Sequence, residues 1–234
     1  MDLERVETGI KGLDEMLNGG IPRGHIVSVL GAFGTGKTCF ATQFIYHGLQ
    51  KGEKGLFITL EEEEDAIIEN ALSFGFDLRP YTQNGSLAIY KLSPSDARNS
   101  IEKIKSELPK VIESSGVQRL VIDSISLLTM MFENEGEKRE NLFALCQRIK
   151  AAKATAVFTA EAKPENPNVS RDGIVEYVSD GVIVLYYLED QGQAGEIKTF
   201  LKVLKMRRTP HSRKIKPYEL GKNGITVLAK AEVI

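Results

Sequence analysis

The sequence predicts an α/β fold in which a mostly parallel central sheet is flanked by helices and extended by C-terminal antiparallel β-hairpins. Three observations support this prediction. Short apolar strands alternate with helical patterns up to about residue 160, a glycine-rich loop joins the first of these strands to a helix, and from Gly181 onward strands follow one another across turns. Parallel neighbours need crossover connections, and the intervening helices supply them.

The elements can be placed in order along the chain. After a short helix between glycine turns in the first 24 residues, apolar runs typical of buried strands occur at residues 25–30, 55–60, 86–92, 119–123 and 154–160. Helical patterns occur at residues 39–49, 65–74, 97–115 and 137–152, the third of them introduced at Pro94. Strand patterns return at residues 182–188, 199–205, 217–220 and 225–228, with turns at residues 191–195 and 223–224. We expect these last strands to extend the same sheet.

Residues 31–38, Gly-Ala-Phe-Gly-Thr-Gly-Lys-Thr, match the phosphate-loop pattern in full. The glycines, with Gly31 opening the loop, let the backbone turn tightly and aim N–H groups at phosphate oxygens. Lys37 is expected to reach the β and γ phosphates and Thr38 to hold Mg²⁺, while the following helix presents its positive end to the anion. A glycine-rich turn could match by accident, but the strand before it and the helix after it are what nucleotide binding requires.

Acidic residues end two other predicted strands. Asp123 ends the fourth strand at the sheet edge where the phosphate loop lies, so we expect it to bind Mg²⁺ through water. Glu61 and Glu62 follow the second strand at the same edge, where a carboxylate can orient or deprotonate an attacking water. Other interpretations remain open: Asp123 could cap the next turn, and residues 61–65 form a run of five acids, a pattern that is usually solvated.

A basic segment, residues 205–216, holds most of the local positive charge. It could stabilise charge on a transferred phosphoryl group, bind nucleic acid, or form a solvated edge strand guarded by lysine and arginine. The spacing of its residues does not choose among these interpretations.

Length and charge limit the class of protein. A chain of 234 residues with a net charge of −2 can bury one substantial core, and no overall positive field draws it to nucleic acid or acidic membranes. No apolar run approaches the roughly twenty residues that cross a bilayer, and the start lacks the plan of a signal peptide, so we expect a cytoplasmic protein. Cys39, Cys146 and the three histidines lack metal-site spacing, and the cysteines are expected in the core.

Several motifs, taken in order, resemble one family. They lie at residues 8–14, 19–24, 31–38, 57–62, 70–77, 121–124, 178–180 and 204–211. Through them nearly the whole chain resembles the RecA-like ATPases of the KaiC type. The resemblance implies a RecA-like P-loop NTPase core formed as one domain by residues 1–234, with ATP and Mg²⁺ as cofactors and ATP hydrolysis as the activity.

The resemblance also assigns roles to particular residues. It implies phosphate contacts from Gly34, Thr35, Gly36, Lys37, Thr38 and Cys39. It places Asp123 in support of Thr38 at the magnesium ion, makes Glu61 and Glu62 the catalytic pair, and puts a base-side contact at Ser73.

A further segment matches the one that reaches the ATP of a neighbouring subunit. Its matching residues are Lys205, Met206, Arg207, Thr209 and His211. The resemblance makes Lys205 and Arg207 trans-acting catalytic residues, and it implies active sites between the subunits of a homo-oligomer, expected to be a hexameric ring.

Four positions depart from the family pattern. Glu176 and Tyr177 stand where a related domain carries phosphorylation sites, so autokinase activity is not expected. Arg208 replaces a glycine that is usual in the trans-acting segment, and Lys222 stands where an aspartate near the base or ribose is expected. We therefore expect the rim of the nucleotide site to differ.

Three functions compete at this point. The leading hypothesis is an ATPase whose turnover depends on subunit assembly. The alternative is a DNA-binding recombinase-like ATPase, but the loops expected at residues 127–138 and 162–173 hold several acids, few bases and little aromatic content. The third is a regulatory switch that binds ATP to assemble, hydrolyses it slowly and signals to an unidentified protein partner, and the same residues would serve it.

Overall fold

Two sheets are present in the computed structural model, which describes residues 3–92, 97–132, 134–189 and 197–228. The small sheet pairs β1 (Arg5–Val6) with β2 (Ile21–Pro22). The large sheet has ten strands: β3 (Ile26–Gly31), β4 (Lys54–Thr59), β5 (Leu87–Lys91), β6 (Val117–Asp123), β7 (Thr155–Lys163), β8 (Asn166–Ser170), β9 (Gly181–Glu189), β10 (Ile197–Met206), β11 (Lys216–Gly221) and β12 (Gly224–Val227). Its order is β12-β11-β10-β9-β3-β7-β6-β4-β5, with β8 paired to β7.

Helices cover both faces of the large sheet. They are α1 (Leu13–Met16), α2 (Lys37–Gln50), α3 (Glu64–Ser73), α4 (Arg79–Gln83), α5 (Ala97–Ser115), α6 (Ile125–Thr129), α7 (Glu135–Ala151) and α8 (Val175–Val178). Successive residues of a strand point to opposite faces, so Val157 packs with the cluster around α2 and Phe158 with the cluster around α7. Among the described residues, no helix is long and apolar enough to cross a membrane.

The parallel strands end at a common edge, and this positions the site. Thr59 of β4 lies opposite Asp123 of β6, while Gly31 of β3 lies opposite Glu161 of β7. The segments that follow β3, β4, β6 and β7 therefore meet beside one another. Ligands of open α/β sheets bind outside such carboxyl ends.

The predicted architecture is confirmed, including the antiparallel strands that extend the sheet beyond β9. Six short elements were not predicted: β1, β2, α4, α6, β8 and α8. The prediction of loops at residues 127–138 and 162–173 was partly wrong. Helices α6 and α7 occupy much of residues 127–138, and the β7–β8 hairpin occupies much of residues 162–173. The expected helix start at Pro94 and the turn at residues 191–195 lie outside the described residues. Cys39 and Cys146 are buried, as expected.

Candidate functional site

The phosphate loop connects β3 directly to α2. Gly34 and Gly36 have φ angles of 74° and 83°, in the left-handed region that glycine adopts most easily. A Cβ atom at Gly31 would overlap the hydroxyl of Thr35, whereas one at Gly34 would meet nothing within 4 Å. The loop is therefore closely packed where it leaves the sheet and open near its tip, which leaves room for an anion at the start of α2.

Internal hydrogen bonds hold this loop in shape. The Nζ atom of Lys37 and the Oγ1 atom of Thr35 both donate to the carbonyl oxygen of Ala32, over 2.9 and 2.8 Å. Thr35 is 1% exposed, so only its backbone is left to contact a phosphate. Burial raises the pKa of the Cys39 thiol to about 12, and its sulfur lies beside Ile225, so Cys39 is likewise left with backbone contacts.

Carboxylates surround the ammonium group of Lys37. Burial lowers the pKa of Lys37, while the negative charges of Asp123, Glu161 and Glu61 act in the opposite direction. Asp123 ends β6, Glu61 follows the end of β4, and Glu161 lies where the parallel pairing of β7 with β3 ends, so the register of the sheet places all three at one edge. The loop lysine and these acids thus form one electrostatic unit.

Asp123 is oriented by a buried threonine. The hydroxyl of Thr159, on the neighbouring strand β7, donates a short hydrogen bond to Oδ1 of Asp123. The backbone carbonyl of Asp123 accepts from the N–H of Leu60 over 2.8 Å, which joins the ends of β6 and β4. The second carboxylate oxygen, Oδ2, makes no hydrogen bond within the described residues. It is the oxygen that the structure leaves for a cation or its water ligands.

The turn after β4 carries Glu61 and Glu62 and is fixed by Thr59. The Thr59 hydroxyl accepts hydrogen bonds from the N–H groups of Glu61 and Glu62, over 3.2 and 3.1 Å. Burial raises the pKa of the Glu61 carboxyl, as do the negative charges of Asp123 and Glu161, against the lowering effect of Lys37. Glu61 is still open to solvent, so a water molecule can reach it.

The sequence analysis missed Glu161, which follows the buried part of β7 at the same sheet edge. Its N–H donates to Oγ of Ser126 over 2.9 Å, and its carboxylate pairs with Arg171 over 2.8 Å. A signal was available, because the apolar run at residues 154–160 is followed at once by this acid, as the fourth strand is by Asp123. Thr59 and Thr159 gave no comparable signal.

The C-terminal hairpin of β11 and β12 packs against the phosphate loop. The hydroxyl of Tyr218 donates to the carbonyl of Thr35 over 2.7 Å, and burial raises the pKa of this phenol. A Cβ atom at Gly36 would lie 3.5 Å from Leu220 and 3.6 Å from Ile225. The hairpin therefore covers one side of the loop, a contact that was not predicted from the sequence.

The base-side position implied for Ser73 lies near the tip of this hairpin. Ser73 is the last residue of α3, is exposed, and donates its hydroxyl to the carbonyl of Asn70 over 2.7 Å. Two residues later, a Cβ atom at Gly75 would lie 3.5 Å from the carbonyl oxygen of Lys222. The end of α3 and the hairpin tip thus form one rim.

The segment implied to act in trans lies elsewhere. Met206, at the end of β10, pairs with Gly181, and Gly181 pairs with Val27 near the start of β3. Lys205 and Arg207 are therefore at the amino ends of the parallel strands, whereas the phosphate loop is at the carboxyl ends. A single chain does not bring the two groups together.

Burial and contacts in residues 205–211 show which of these side chains are free to bind a ligand. Met206 is 5% exposed and packs in the core, so it can offer a ligand only its backbone. Arg207 is half exposed, with Nη1 3.4 Å from Oδ1 of Asp180. Thr209 accepts a hydrogen bond from Arg5 over 3.2 Å, and Nδ1 of His211 lies 3.0 Å from the carbonyl of Ser212. Partial burial and Arg207 lower the pKa of Lys205.

A mostly parallel sheet with a complete phosphate loop after β3, and with acids at the same edge on β6 and β7, defines a nucleotide-binding domain of the phosphate-loop class. The family model described as "ATPase: KaiC" matches residues 6–232. The chain belongs to this family and is an ATPase domain of the RecA and KaiC type.

Individual relatives agree with this assignment. The circadian clock oscillator protein KaiC of Parathermosynechococcus lividus is 35% identical over 237 residues, covering 96% of this chain and 42% of that protein. The protein of the same name from Prochlorococcus marinus subsp. pastoris is 34% identical over 240 residues, covering 98% of this chain and 46% of that protein. The chain thus spans less than half the length of these relatives.

A solved structure matches over a similar extent. The crystal structure of a KaiC-like protein from the hyperthermophilic archaeon Pyrococcus horikoshii OT3 is similar with a TM-score of 0.84 and 39% sequence identity. The match covers 97% of this chain and 99% of that chain. It confirms the RecA-like fold class and the resemblance stated from the motifs.

Proposed function

We propose that this chain hydrolyses ATP with Mg²⁺ at sites that a neighbouring copy completes. One observation carries the proposal: Lys37, Asp123 and Glu61 converge beside the phosphate loop, while Lys205 and Arg207 lie at the opposite end of the same strands. A phosphoryl-transfer site needs positive charge on the leaving phosphates and a group that handles the attacking water. In this proposal one chain supplies the group that handles the water, but only part of the positive charge on the phosphates.

The residues at the phosphate loop fit a nucleoside triphosphate and a magnesium ion. The open left-handed turn at Gly34 and the ammonium of Lys37 suit the phosphates, and the hydroxyl of Thr38 with the free oxygen of Asp123 suits the metal. Within the described residues no cluster of three or more His, Cys, Asp or Glu side chains could hold a metal. This supports an ion held mainly by phosphate and water, which when bound withdraws charge from the phosphates.

Glu61 is the stronger candidate for the general base in this proposal. Its raised pKa brings the carboxylate closer to the working pH, which makes it a better proton acceptor for water. Both Glu61 and Glu62 have their backbone fixed by Thr59, so both remain members of the catalytic pair. We assign proton abstraction to Glu61. We assign to Glu62 the role of orienting the turn after β4 that carries both residues.

Lys205 and Arg207 act on the nucleotide of the next subunit in this proposal. Because their own phosphate loop is at the other end of the sheet, a head-to-tail arrangement of copies is the simplest way to join the two groups. Such an arrangement closes into a ring when the rotation between neighbouring copies allows it, and we propose a closed ring of six subunits. Thr209 and His211 would line the same contact.

Complementation between two inactive variants tests the trans-acting sites. Lys37→Ala removes the loop lysine and Arg207→Ala removes the partner arginine, so each variant alone should be inactive. When the two are mixed before assembly, roughly a quarter of the sites pair an intact loop with an intact arginine, and roughly a quarter of the activity should return. No recovery in assemblies that are shown, by pull-down through a tag on one variant, to contain both variants would place Arg207 outside the site.

We further propose that residues 1–234 form one regulatory domain in the cytoplasm, which assembles with ATP and signals to a protein partner. Support comes from relatives that are named as circadian clock oscillator proteins. Sizing in ATP and in ADP, together with turnover measurements, tests this role. Assembly in ATP alone with slow turnover would support it, whereas salt-sensitive DNA binding at micromolar protein would favour the recombinase-like alternative.

A further inference from the structure

The phosphate loop carries the most exposed large apolar side chain in the described part of the protein. Phe33 is 85% exposed. The backbone on both sides of it is fixed. The carbonyl of Ala32 accepts hydrogen bonds from Thr35 and Lys37, and Gly34 has a left-handed φ of 74°. The loop therefore presents a phenyl ring to solvent from a defined position, and rigid aromatic groups of this kind are typical anchors of protein interfaces.

A cavity with aromatic walls lies between α7 and α8. Its volume is about 450 Å³, within the range of sites that hold small groups. Tyr177 is 67% exposed and Phe143 is 56% exposed, and the guanidinium carbon of Arg139 lies 6.0 Å from the centre of the Tyr177 ring. We call this cavity the aromatic pocket, and its lining residues are Gly136, Arg139, Glu140, Phe143, Tyr177 and Val178. Two aromatic walls beside a cation suit a further aromatic ring.

Phe33 does not fill the aromatic pocket of its own chain. It is not among the lining residues, and helix α2, which follows the phosphate loop, packs on the opposite face of the sheet from α7 and α8. A projecting ring and a pocket at different places on one chain can join only between copies. The contact that they form is of the heterologous, head-to-tail type.

The aromatic pocket adjoins the segment that we propose to act in trans. Val178, in the wall of the pocket, is two residues before Asp180, whose carbonyl accepts the N–H of Arg207 over 2.9 Å. Burial lowers the pKa of Lys205, and Glu176 of α8 is close enough for its charge to act in the opposite direction. A copy that brings Lys205 and Arg207 to its neighbour's nucleotide therefore brings the aromatic pocket towards its neighbour's phosphate loop.

We propose that Phe33 of one copy docks in the aromatic pocket of the next copy, against Phe143 and Tyr177. This inference rests on the proposed trans-acting sites, because it uses the same head-to-tail arrangement. The ring of Phe33 leaves water only when the copies assemble, so its burial stabilises the assembly. Because Phe33 belongs to the phosphate loop, the same contact holds that loop against the neighbouring copy.

Assembly in ATP and Mg²⁺ is measured by analytical ultracentrifugation over a range of protein concentrations. We expect Phe33→Ala and Tyr177→Ala each to raise the concentration for half-maximal assembly by about tenfold or more, the usual effect of removing an interface anchor. The double substitution should cost little more than either single one, since both side chains serve one contact.

Two features of this experiment make it specific. Tyr177 lies outside the phosphate loop, so a weaker assembly of Tyr177→Ala does not come from altered nucleotide binding at the loop of its own chain. Tyr90→Ala is the matched control, because Tyr90 is 56% exposed on β5, at the far edge of the sheet. We expect this control to assemble normally.

Cross-linking tests the contact without any measurement of ATP turnover. Chains with Phe33→Cys are mixed with chains with Tyr177→Cys and treated with a short bis-maleimide reagent. We expect covalent dimers in the mixture and in neither variant alone. Burial raises the pKa of the thiols of Cys39 and Cys146 to about 12, so both stay unreactive. Tyr90→Cys in place of Tyr177→Cys is the control and should give no dimers.

The results distinguish this contact from the proposed function. Cross-linked dimers together with weaker assembly of both alanine variants would support the docking of Phe33. If mixed Lys37→Ala and Arg207→Ala chains recover activity, but no cross-link forms and both alanine variants assemble normally, the trans-acting sites stand and the docking of Phe33 is wrong. If neither recovery nor a cross-link is seen, the head-to-tail arrangement is wrong and the contact is wrong with it.

Discussion

The hydroxyl group of Tyr218 donates a 2.7 Å hydrogen bond to the backbone carbonyl of Thr35 and so joins the C-terminal hairpin to the phosphate loop, 183 residues earlier in the chain. Both partners are buried. Nearby, the side-chain oxygen of Gln43 in α2 accepts from the N–H of Ile225 over 2.8 Å. The shape of the loop therefore depends on strands at the far end of the sequence.

Removing this hydroxyl should loosen the loop. Tyr218→Phe leaves the Thr35 carbonyl buried without its partner, so we expect a loss of about 1–2 kcal/mol in the free energy of unfolding, measured by urea denaturation. ATP should bind several-fold more weakly in equilibrium titration. Tyr187→Phe is the control, because its hydroxyl makes no hydrogen bond in the described part of the chain. Equal effects from both substitutions would contradict a specific role for Tyr218.

Thr159 should matter for magnesium more than for folding. Thr159→Val removes the hydroxyl that orients Asp123 while keeping the size of the side chain. Loss of such a supporting hydrogen bond usually costs about 10–100-fold in metal affinity or activity, so the Mg²⁺ concentration for half-maximal hydrolysis should rise.

Thr155→Val, on the same strand, provides the matched control. Its hydroxyl accepts a hydrogen bond from the N–H of Gly24 over 2.9 Å, at the other end of β7 from Asp123. We expect this variant to lose stability without a change in magnesium dependence. If Thr155→Val raises the Mg²⁺ concentration for half-maximal hydrolysis as much as Thr159→Val does, the effect does not come from the orientation of Asp123 by Thr159.

The raised pKa of Glu61 predicts two linked pH effects. In the proposed mechanism hydrolysis needs the ionised carboxylate of Glu61, so activity should fall as the pH decreases through this raised pKa. The fold favours the protonated form, hence the stability that this group contributes is greatest below its unfolded-state pKa and is lost as the pH rises through the folded-state pKa.

Glu61→Gln should therefore separate activity from stability. We expect hydrolysis to fall by about 10²–10⁴-fold, while the free energy of unfolding at pH 8 rises by up to about 0.5 kcal/mol, a small value because Glu61 is exposed. As the pH falls well below the unfolded-state pKa of glutamate, about 4.3, the stability difference should vanish, since the carboxyl is then neutral in both states. Glu62→Gln should affect hydrolysis less; a larger loss in Glu62→Gln would reverse the assignment of the base.

Two helical glycines should respond oppositely to alanine. A Cβ atom at Gly48 in α2 would overlap the buried guanidinium of Arg119, which also contacts Glu53 and the carbonyl of Phe44. We expect Gly48→Ala to lower the free energy of unfolding by about 1–3 kcal/mol. Gly136→Ala in α7 meets only Asn134 at 3.4 Å and should add about 0.5–1 kcal/mol. Stabilisation by both substitutions in urea denaturation would show that Arg119 can move aside.

Local pattern was enough for the architecture and for half of the candidate site. Apolar periodicity is set by each element alone, so strands β3 to β7 and helices α2, α3 and α7 could be predicted within a few residues. The phosphate loop is contiguous, and Asp123 and Glu61 could be placed because parallel strands end at one edge. Glu161 obeys the same rule and could have been found.

Other parts depended on contacts between distant segments. Thr159 faces Asp123, and Tyr218 faces Thr35, only because strands far apart in sequence become neighbours. The backbone at Arg208 also became clear only from the structure. The sequence showed an arginine where the family usually has a glycine, and the φ of 56° lies in the left-handed region that glycine adopts most easily.

The sequence by itself determined the order of the elements, the phosphate loop and its family, because these depend on residues close together in the chain. The tertiary structure decided which ends of the sheet the charged groups occupy. The antiparallel pairing of β10 with β9 carries Arg207 to the amino end of β3, and strand pairing depends on burial summed over the whole chain. The separation between Lys37 and Arg207, on which the proposed assembly rests, follows from that pairing.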